Sequence, residues 1–300
     1  MKIGVIGTGL MGAPMALRLL SSGHQVWVYN RTKSRLKPLE LAGARACNTP
    51  GELLAQVEAV ILMVTNAEAV RSLLLGEGEV NVGTAPASPL GQQTILQMGT
   101  IAPAESQALQ REFQTLGASY LEAPVLGSIP EAKNGGLQVM VGAESKDYQQ
   151  WAPLLKCFGE RIYHVGPVGT AAALKLAMNQ LIGSLTSAFA QSLGLIQKQG
   201  IDVDVFMEVL RQSALYAPTF DKKLPRMQSR DFADPNFPAK HLLKDMGLFT
   251  ETARENGIEV SPAERVQQIV KLAVESGWAE DDYSALFNVI SPCLDEETEA

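Results

Sequence analysis

A glycine-rich turn near the start of the chain holds the first residues whose spacing suggests chemistry. Gly7, Gly9 and Gly12 form a G-x-G-x-x-G pattern directly after the apolar run Lys2 to Ile6, and a second apolar run, Val26 to Tyr29, follows a helical pattern. In this strand–turn–helix–strand setting the three glycines permit the turn, the approach of a pyrophosphate and close helix packing. The helix start then attracts phosphate. The pattern predicts a dinucleotide site; the alternative is a tight turn without a ligand.

The end of the second predicted strand bears on which dinucleotide binds. An NAD site usually places an acidic residue here to bond the ribose 2′-hydroxyl. This chain has Asn30, Arg31 and Thr32 instead. Arg31 can bind a 2′-phosphate through two charged hydrogen bonds, and Lys33 and Arg35 add positive potential. The sequence therefore predicts NADP(H) rather than NAD(H), and the alternative is a solvated basic turn that favours neither coenzyme.

A lysine and an asparagine share one face of a long predicted helix. The stretch from Gly166 to Gly200 contains Lys175 and Asn179, which are four residues apart. A helix from about Thr170 to Gln199 would be about 45 Å long, and it is apolar on nearly every face, so it should be buried. Polar residues interrupt the run too often for a membrane span. The structural alternative for the pair is a lysine that reaches the surface and an asparagine that bonds the backbone.

The composition limits the kinds of partner. The 300 residues are 46% hydrophobic, which is enough for a large core and suggests two domains. A net charge of -7 argues against nucleic acid or an anionic membrane as the main partner. Three cysteines and three histidines lack metal or redox spacing, so no metal is expected and a reducing compartment fits. No signal peptide is visible, and we expect a cytoplasmic protein.

Strands and helices alternate through the first half of the sequence. After the first two strands, we predict strands at Ala59–Val64, Thr94–Met98, Ser119–Glu122, Leu137–Val141 and Arg161–Val165. The predicted intervening helices begin near Thr49, where Thr49 to Glu52 reads as a capping box, near Asn66, near Pro103 and at Ser145, which is predicted to cap a helix to Cys157. Gly76–Gln92 and Ala123–Gly136 are predicted loops. The alternation indicates a doubly wound α/β domain over residues 1–165.

The second half, residues 166–300, is predicted to be all helical. After the long helix, at about 170–199, the candidates are Asp202–Ser213, Ala239–Asn256, Pro262–Ser276 and Tyr283–Ile290. Ser261 to Glu264 reads as a second capping box. The segment from Pro225 to Pro238 is predicted to be a surface linker, and Asp295 to Ala300 an acidic tail.

Five separated blocks of this sequence resemble the β-hydroxyacid dehydrogenases, relatives of 3-hydroxyisobutyrate dehydrogenase, and within them the glyoxylate/succinic semialdehyde reductase group. The blocks are Gly4 to Thr32, Gln97 to Pro103, Glu122 to Gly142, Gly166 to Asn179 and Phe237 to Leu248. The resemblance implies a Rossmann-type doubly wound N-terminal domain, an all-α C-terminal domain for substrate binding and oligomerisation, a long interdomain helix, and a homodimer or homotetramer.

The resemblance also assigns roles to individual positions. Lys175 matches the family's catalytic lysine, and Asn179 matches the asparagine one turn further on. Lys244 and Asp245 match a pair that closes on the coenzyme, and Phe237 matches a cleft residue. The predicted coenzyme-binding residues are Gly7, Gly9, Leu10, Met11, Gly12, Asn30, Arg31, Thr32, Val64, Thr65, Thr100 and Lys244. The predicted substrate-binding residues are Thr100, Gly127, Ser128, Lys175, Asn179, Phe237 and Asp245.

Two departures from the family pattern affect the substrate expected. Leu126 stands where the family's substrate-carboxylate loop has a serine, so a carboxylate there would rely on backbone N–H groups, Ser128 or water. Gly99 precedes Thr100 where the family has a serine. We therefore expect small glyoxylate-like substrates to be used less well, and a longer or more apolar aldehyde to be used better. For Thr100 and Ser128 the alternatives are strand-end capping and loop bonding.

The resemblance implies hydride transfer between NADPH and a small aldehyde acid such as succinic semialdehyde or glyoxylate. Lys175, as an ammonium, would stabilise the developing oxygen charge and donate a proton, with Asn179 orienting the amine; burial would have to lower the pKa of the lysine for it to act as a base. Two alternatives remain, an imine reductase and a catalytically idle NADP-binding scaffold. An enzyme consumes NADPH when its substrate is added, whereas a scaffold binds NADPH without turnover.

Overall fold

Two units make up the chain, Met1–Lys175 and Leu176–Ala300. The computed structural model describes residues 1–76 and 90–292. The long helix α8 (Thr170–Lys198) begins in the first unit and continues into the second. Most of the predicted loop Gly76–Gln92 and the whole acidic tail lie outside the described residues.

The first unit is built on one sheet of short strands. Its strands are β1 (Lys2–Ile6), β2 (Gln25–Tyr29), β3 (Arg45–Ala46), β4 (Ala59–Leu62), β5 (Thr94–Gln97), β6 (Ser119–Glu122), β7 (Val125–Leu126), β8 (Gln138–Gly142) and β9 (Arg161–Gly166). The first six are parallel in the order β3-β2-β1-β4-β5-β6. Strand β8 runs antiparallel to β6 and β7 and parallel to β9. This strand order places the chain reversal between β1 and β4, where α/β sheets bind nucleotides.

Helices connect these strands and cover the sheet. They are α1 (Gly12–Ser21), α2 (Lys37–Leu41), α3 (Pro50–Leu54), α4 (Ala67–Leu74), α5 (Pro103–Thr115), α6 (Ile129–Asn134) and α7 (Ser145–Leu155). Alternate strand residues point to opposite faces. Ile3 and Val5 of β1 join one hydrophobic cluster, whereas Ile6 of the same strand joins the other. Strands β1, β2, β4, β5, β6 and β8 are buried along most of their length, as the continuous apolar runs in the sequence indicate, whereas β3 and β9 are largely exposed.

The second unit contains helices around a single hydrophobic cluster. Besides α8 they are α9 (Val203–Arg211), α10 (Pro218–Ser229), α11 (Ala239–Glu255), α12 (Ser261–Ala273) and α13 (Leu286–Ile290). Phe189 and Leu193 of α8, Leu242 and Met246 of α11 and Phe287 of α13 are at most 3% exposed and belong to that cluster. Helix α8 packs closely there, since a Cβ at Gly183 would lie 3.0 Å from the Met246 sulfur.

Two predicted irregular segments contain regular structure, and those predictions were wrong. The predicted loop Ala123–Gly136 contains β7 and α6. The carboxylate of Glu131 accepts hydrogen bonds from both the amide and the hydroxyl of Ser128, which fixes the start of α6. The predicted linker Pro225–Pro238 begins inside α10, with Pro225 in the helix interior. Helix α10 is held by the burial of Phe220, Leu224 and Met227 on one face.

The predicted helix caps also differ in detail. Thr49 accepts a hydrogen bond from the Glu52 amide, but the Glu52 carboxylate accepts from Asn48 rather than from Thr49. Ser145 is the first residue of α7 and not its cap. Ser261 donates to the preceding Glu259, so the predicted box at the start of α12 does not form. At Glu52 and at Ser261 a neighbouring residue competes for the hydrogen bond of the predicted box, which the local pattern does not reveal.

Candidate active site

Two of the three glycines of the glycine-rich turn are required by the fold itself. Gly7 has a φ of 93°, and a Cβ there would lie 2.3 Å from the carbonyl oxygen of Met63 at the end of β4. A Cβ at Gly12 would lie 1.9 Å from the carbonyl oxygen of Gly7. Neither contact is possible for real atoms, so any side chain at these two positions would push the turn away from the sheet.

At the third glycine, Gly9, no neighbouring atom in the described part of the chain would clash with an added Cβ. The nearest atom to a Cβ at Gly9 is a guanidinium nitrogen of Arg35, 3.7 Å away, which is ordinary contact. The space beside Gly9 is therefore open to a ligand. The hydroxyl oxygen of Thr8 is buried and has no hydrogen-bond partner among the described residues. An open backbone surface beside an unpartnered hydroxyl at a helix start fits the pyrophosphate of a dinucleotide.

Asn30 connects the end of β2 to this turn. Its side-chain oxygen accepts a hydrogen bond from the Thr8 amide at 3.1 Å, and its side-chain nitrogen donates to the Thr32 carbonyl at 3.0 Å. Arg31 and Thr32 are exposed beyond it. Because Asn30 fixes both segments, it positions Arg31 beside the turn rather than serving only as a ligand contact.

The basic residues that follow Arg31 have different surroundings. The ammonium of Lys33 donates to the side chain of Asn48 at 2.9 Å. Arg35 instead lies beside Gly9. The sequence suggested only a general positive potential for Arg35, and no local pattern reveals that its guanidinium reaches the glycine-rich turn.

Residues after β4 and β5 continue the same sheet edge. Val64, Thr65 and Thr100 follow the carboxyl ends of neighbouring strands, as the predicted coenzyme contacts require. A Cβ at Gly99 would lie 2.5 Å from the carbonyl oxygen of Val64. The glycine that replaces the family's serine is therefore demanded by close backbone packing between the two strand ends.

The predicted substrate-carboxylate loop is shaped by Gly127 and Ser128. Gly127 has a φ of 132°, and a Cβ there would meet the Leu137 side chain at 2.6 Å. The Ser128 amide and hydroxyl donate to Glu131 at 2.8 and 2.6 Å. In this conformation both donors of Ser128 are committed to starting α6, and Leu126 lies in β7 without a polar side-chain atom.

In the second unit, Asn179, Lys244 and Asp245 form a buried polar group. Asn179 is 1% exposed and donates from its side-chain nitrogen to Asp245 Oδ2 at 2.6 Å. Lys244 Nζ lies 2.9 Å from Asp245 Oδ1 as an ion pair, without the alignment of a hydrogen bond. The carboxylate fixes the orientation of the Asn179 amide. The Asn179 oxygen is therefore left as an acceptor, and it has no hydrogen-bond partner among the described residues.

Phe237 lies next to the start of α11 in an aromatic group. Its ring is half-buried and meets Tyr283 edge to face at 5.7 Å, with His241 6.5 Å away. Burial, with a smaller contribution from Lys240, lowers the pKa of His241, so its imidazole stays neutral near neutral pH. The side chain of Phe237 therefore packs against two other rings.

Lys175 lies in the second turn of α8 and is half-buried. Asn179 is one turn further along the same helix face. The predicted residues thus divide between the units: the glycine-rich turn, the end of β2, Val64, Thr65, Thr100, Gly127, Ser128 and Lys175 belong to the first, and Asn179, Phe237, Lys244 and Asp245 to the second. The described residues contain no group of three or more His, Cys, Asp or Glu side chains suited to a metal ion. Among them, no helix has the length and apolar character needed to cross a bilayer.

Comparison with known proteins assigns both halves of the chain. The sequence pattern described as the NAD binding domain of 6-phosphogluconate dehydrogenase matches residues 2–166. The pattern described as the NAD-binding region of NADP-dependent 3-hydroxyisobutyrate dehydrogenase matches residues 169–290. With the sheet order and the glycine-rich turn, these matches define an NAD(P)-dependent oxidoreductase.

Individual relatives are similar over nearly the whole chain. Glyoxylate/succinic semialdehyde reductase 2 of Arabidopsis thaliana is 31% identical over 99% of this chain and 81% of that protein. The NAD-dependent L-serine dehydrogenase of Pseudomonas aeruginosa is 28% identical over 97% of this chain and 98% of that protein. The crystal structure of a 3-hydroxyisobutyrate dehydrogenase from Salmonella typhimurium has the same fold, with a TM-score of 0.84 and 23% identity over 96% of this chain and 99% of that one.

The chain belongs to the β-hydroxyacid dehydrogenase family. The predicted family, the doubly wound N-terminal fold, the helical second half and the long helix at about 170–199 are confirmed. So is the prediction of an oxidoreductase that acts on hydroxyl or aldehyde groups with a nicotinamide coenzyme.

Proposed function

We propose that this protein is an NADPH-dependent reductase that converts a small aldehyde acid, such as succinic semialdehyde or glyoxylate, to the corresponding hydroxy acid. The observation that carries the proposal is the pair on α8. Lys175 and Asn179 share one face, and the amide of Asn179 is held by Asp245 with its oxygen left as an acceptor. A lysine beside a fixed acceptor suits proton transfer to and from a carbonyl oxygen. The name of the Arabidopsis relative supplies the substrate class.

The preference for NADPH rests on the end of β2. Arg31 is exposed there, Asn30 fixes the backbone on both sides of it, and no acidic side chain follows the strand. An arginine in this position suits a 2′-phosphate, and the missing carboxylate removes both a ribose partner and a source of repulsion. A serine dehydrogenase of the same family is named as NAD-dependent, so the preference belongs to this chain's own residues rather than to the family.

The coenzyme, when bound, supplies the hydride. Thr8, the open surface at Gly9 and the start of α1 would hold its pyrophosphate, and Arg31 its 2′-phosphate. Lys175, as an ammonium, stabilises the negative charge that develops on the aldehyde oxygen and gives it a proton. In the oxidative direction the neutral amine accepts that proton. The Asn179 oxygen accepts an N–H or O–H from the lysine or the substrate, which orients the transfer.

The substrate carboxylate would have few side-chain donors near Gly127. Leu126 offers none, and the donors of Ser128 are bonded to Glu131. The carboxylate would therefore rely on backbone N–H groups, on Thr100 or on water. This favours an aldehyde with a longer chain over glyoxylate, because the apolar Leu126 contributes contact area but no hydrogen bond.

The test is the loss of NADPH absorbance with succinic semialdehyde, glyoxylate and larger aldehydes, repeated with NADH and with Lys175→Ala. We expect Lys175→Ala to lower kcat by about 10² to 10⁴ while NADPH binding is retained, since the lysine acts on the proton and not on the coenzyme. The matched control is Lys198→Ala, an exposed lysine at the other end of α8, which should keep wild-type kcat.

Two outcomes would overturn the proposal. If Lys175→Ala keeps the wild-type kcat, the lysine is not catalytic. If the wild-type protein binds NADPH tightly but reduces no aldehyde, the substrate assignment is wrong, and cyclic imines become the next substrates to test. If neither aldehydes nor imines cause loss of NADPH absorbance, the result would favour a coenzyme-binding scaffold without catalytic activity.

A further inference from the structure

Glu122 is a buried carboxylate at the end of β6, and it binds the start of α8. It is 1% exposed. Its Oε1 accepts hydrogen bonds from the amides of Gly169, Ala171 and Ala172 at 2.8, 2.8 and 3.1 Å. The first amides of a helix have no partner within the helix, and an anion near them also interacts favourably with the helix dipole. One carboxylate oxygen therefore satisfies three backbone donors at the helix start.

This carboxylate is remote in sequence from the helix that it caps. An ordinary N-cap side chain belongs to the residue just before the helix. Glu122 instead lies 47 to 50 residues earlier, in the sheet. The contact therefore fixes the first turn of α8 to the carboxyl end of β6, and not merely to its own preceding loop.

The second carboxylate oxygen completes a chain of hydroxyl groups. Ser106 Oγ donates to Glu122 Oε2 at 2.5 Å and lies 2.8 Å from the Tyr120 hydroxyl. When Ser106 donates its hydrogen bond to Glu122, Tyr120 can donate to Ser106, so that each of the two contacts has one hydrogen atom. A protonated Glu122 would instead donate to Ser106, which would then donate to Tyr120. In either direction both contacts are hydrogen-bonded, and the chain holds Oε2 in place.

The surroundings of Glu122 shift its pKa in two opposing directions. Burial raises the pKa of Glu122, and the Ser106 hydroxyl and the three amides oppose that rise because they bind the charged form. Burial also raises the pKa of Tyr120, so its phenol remains a donor. The charged form has four hydrogen-bond donors here, the Ser106 hydroxyl and the amides of Gly169, Ala171 and Ala172.

The space around Glu122 is fitted to its side chain. Gly142 is its partner residue across β6 and β8, and a Cβ at Gly142 would lie 2.2 Å from Glu122 Oε1. The absence of a side chain at Gly142 therefore leaves room for the carboxylate. The backbone of Gly169, with a φ of 104°, turns its amide toward that oxygen.

We propose that Glu122 is a positioning residue for Lys175: it anchors the first turn of α8 to the sheet and thereby sets where the lysine, one turn after Ala172, is held. The inference rests on the proposed function, because it assumes that Lys175 carries out the proton transfer. A displacement of about 1 Å of a catalytic group can reduce turnover about 10²-fold. Loss of the anchor should therefore reduce the chemical step without affecting coenzyme binding at the glycine-rich turn.

The experiment uses Glu122→Gln, which keeps the shape of the side chain but removes its charge and replaces one carboxylate oxygen with an NH₂ group. The matched control is Glu112→Gln on α5, which removes a partly exposed ion pair with Arg71. Glu122→Asp keeps the charge and serves as the conservative variant. For each protein we would measure hydrogen exchange of the Gly169, Ala171 and Ala172 amides, kcat, NADPH affinity and the kinetic isotope effect with NADPH deuterated at the transferred position.

We expect Glu122→Gln to exchange the three amides about tenfold faster or more, since a neutral amide oxygen is a weaker acceptor for them than a carboxylate oxygen. Its kcat should fall about tenfold or more, its isotope effect should rise as hydride transfer becomes rate-limiting, and its NADPH affinity should remain within about twofold of wild type. Glu122→Asp should recover part of kcat. Glu112→Gln should match wild type in all four measurements. A purely structural role would lower stability but leave the isotope effect of the folded protein unchanged.

A second pair of variants covers the case in which Glu122→Gln does not fold. Ser106→Ala removes one hydroxyl donor and leaves the three amide contacts, so its fall in kcat and its rise in isotope effect should both be smaller than those of Glu122→Gln. Gly142→Ala displaces the carboxylate without changing any charge, and it should also accelerate exchange of the three amides.

The outcomes separate this inference from the proposed function. If Lys175→Ala keeps turnover, the proposed function fails whatever Glu122 does. If Lys175→Ala is inactive but amide exchange is unchanged in the Glu122 variants, the anchor is absent and the inference fails alone. Faster exchange with unchanged kcat and isotope effect also overturns it, because the anchor would then not position the lysine.

Discussion

At the scale of single residues, the three glycines of the G-x-G-x-x-G motif occupy positions with different physical requirements. A side chain at Gly7 or Gly12 would clash with a carbonyl oxygen, because the added Cβ would lie 2.3 Å from it at Gly7 and 1.9 Å from it at Gly12. The nearest atom to a Cβ at Gly9 is a guanidinium nitrogen of Arg35 at 3.7 Å, which is no clash. The fold therefore requires glycine at the first two positions and leaves the third open, in agreement with the division that the motif predicts.

Alanine substitutions should separate these roles. Gly12→Ala should lower the free energy of unfolding by about 2 kcal/mol or more, because the turn must move to accept the methyl group. Gly9→Ala should leave stability close to wild type but weaken NADPH binding about tenfold or more, since its methyl group would occupy the path of the pyrophosphate. Thermal denaturation and a fluorescence titration with NADPH measure the two effects. Tight NADPH binding by Gly9→Ala would show that the open surface is not the phosphate site.

The features that the sequence explains best are those set by local structure. The glycine-rich turn and Asn30 were identified because strand, turn and helix follow one another within a short segment. The requirement for Gly99 and the bonds from Ser128 to Glu131 depend on neighbouring strands or on a short unpredicted helix. Glu122 was part of a resembling block, but no sequence pattern connects it with amides 47 to 50 residues later.

At the scale of elements, the second unit contains a buried ion pair that joins α10 to the segment before α13. Lys223 Nζ lies 2.7 and 2.8 Å from the two oxygens of Asp282, and 4.1 Å from the centre of the Tyr283 ring. Asp282 also accepts from the amide and hydroxyl of Ser284. Burial lowers the pKa of Lys223, and Asp282 opposes that change. The pair is stable only while both charges are present.

Removing one partner should be costly. Lys223→Met should lower the free energy of unfolding by about 3 to 5 kcal/mol, because Asp282 is left as an unpaired buried charge. Lys223→Met with Asp282→Asn should recover part of that loss. Urea denaturation measures both, with Arg211→Ala as control, since its ion pair with Asp221 is exposed and should contribute little. Equal effects of Lys223→Met and Arg211→Ala would contradict this account.

Helix α10 shows which element-scale signal was missed in the sequence. Phe220, Lys223, Leu224 and Met227 are buried at helical spacing. The prolines at 218 and 225 obscured this periodicity, because proline usually breaks a helix interior. Pro218 occupies the first turn, where its missing N–H has no cost, and Pro225 is tolerated in a helix stabilised by its buried face. The longest and most apolar helix, α8, was predictable because no such breaker interrupts it.

At the scale of the whole molecule, the chain divides into two units that share one helix. The first unit contains the sheet edge and the glycine-rich turn. The second contains Asn179 and the buried carboxylate of Asp245 to which it donates a hydrogen bond. Sequence periodicity predicted both halves because strand and helix patterns alternate in the first and helical patterns alone continue through the second. A coenzyme that binds only the folded protein must stabilise it by mass action, whatever the substrate.

The coenzyme preference therefore has a test that needs no turnover. NADPH at about 100 times its Kd should raise the free energy of unfolding by about 2.7 kcal/mol, and the same concentration of NADH should raise it less if its Kd is higher. Arg31→Ala should reduce the stabilisation by NADPH and leave that by NADH unchanged, because only the 2′-phosphate contact is lost. Arg111→Ala, an exposed arginine on α5, controls for the loss of one positive charge. Thermal denaturation with each coenzyme decides the matter: equal stabilisation of the wild-type protein by NADH and NADPH would show that Arg31 does not select the phosphate. A loss of both effects in Arg31→Ala would assign it to the shared part of the dinucleotide instead.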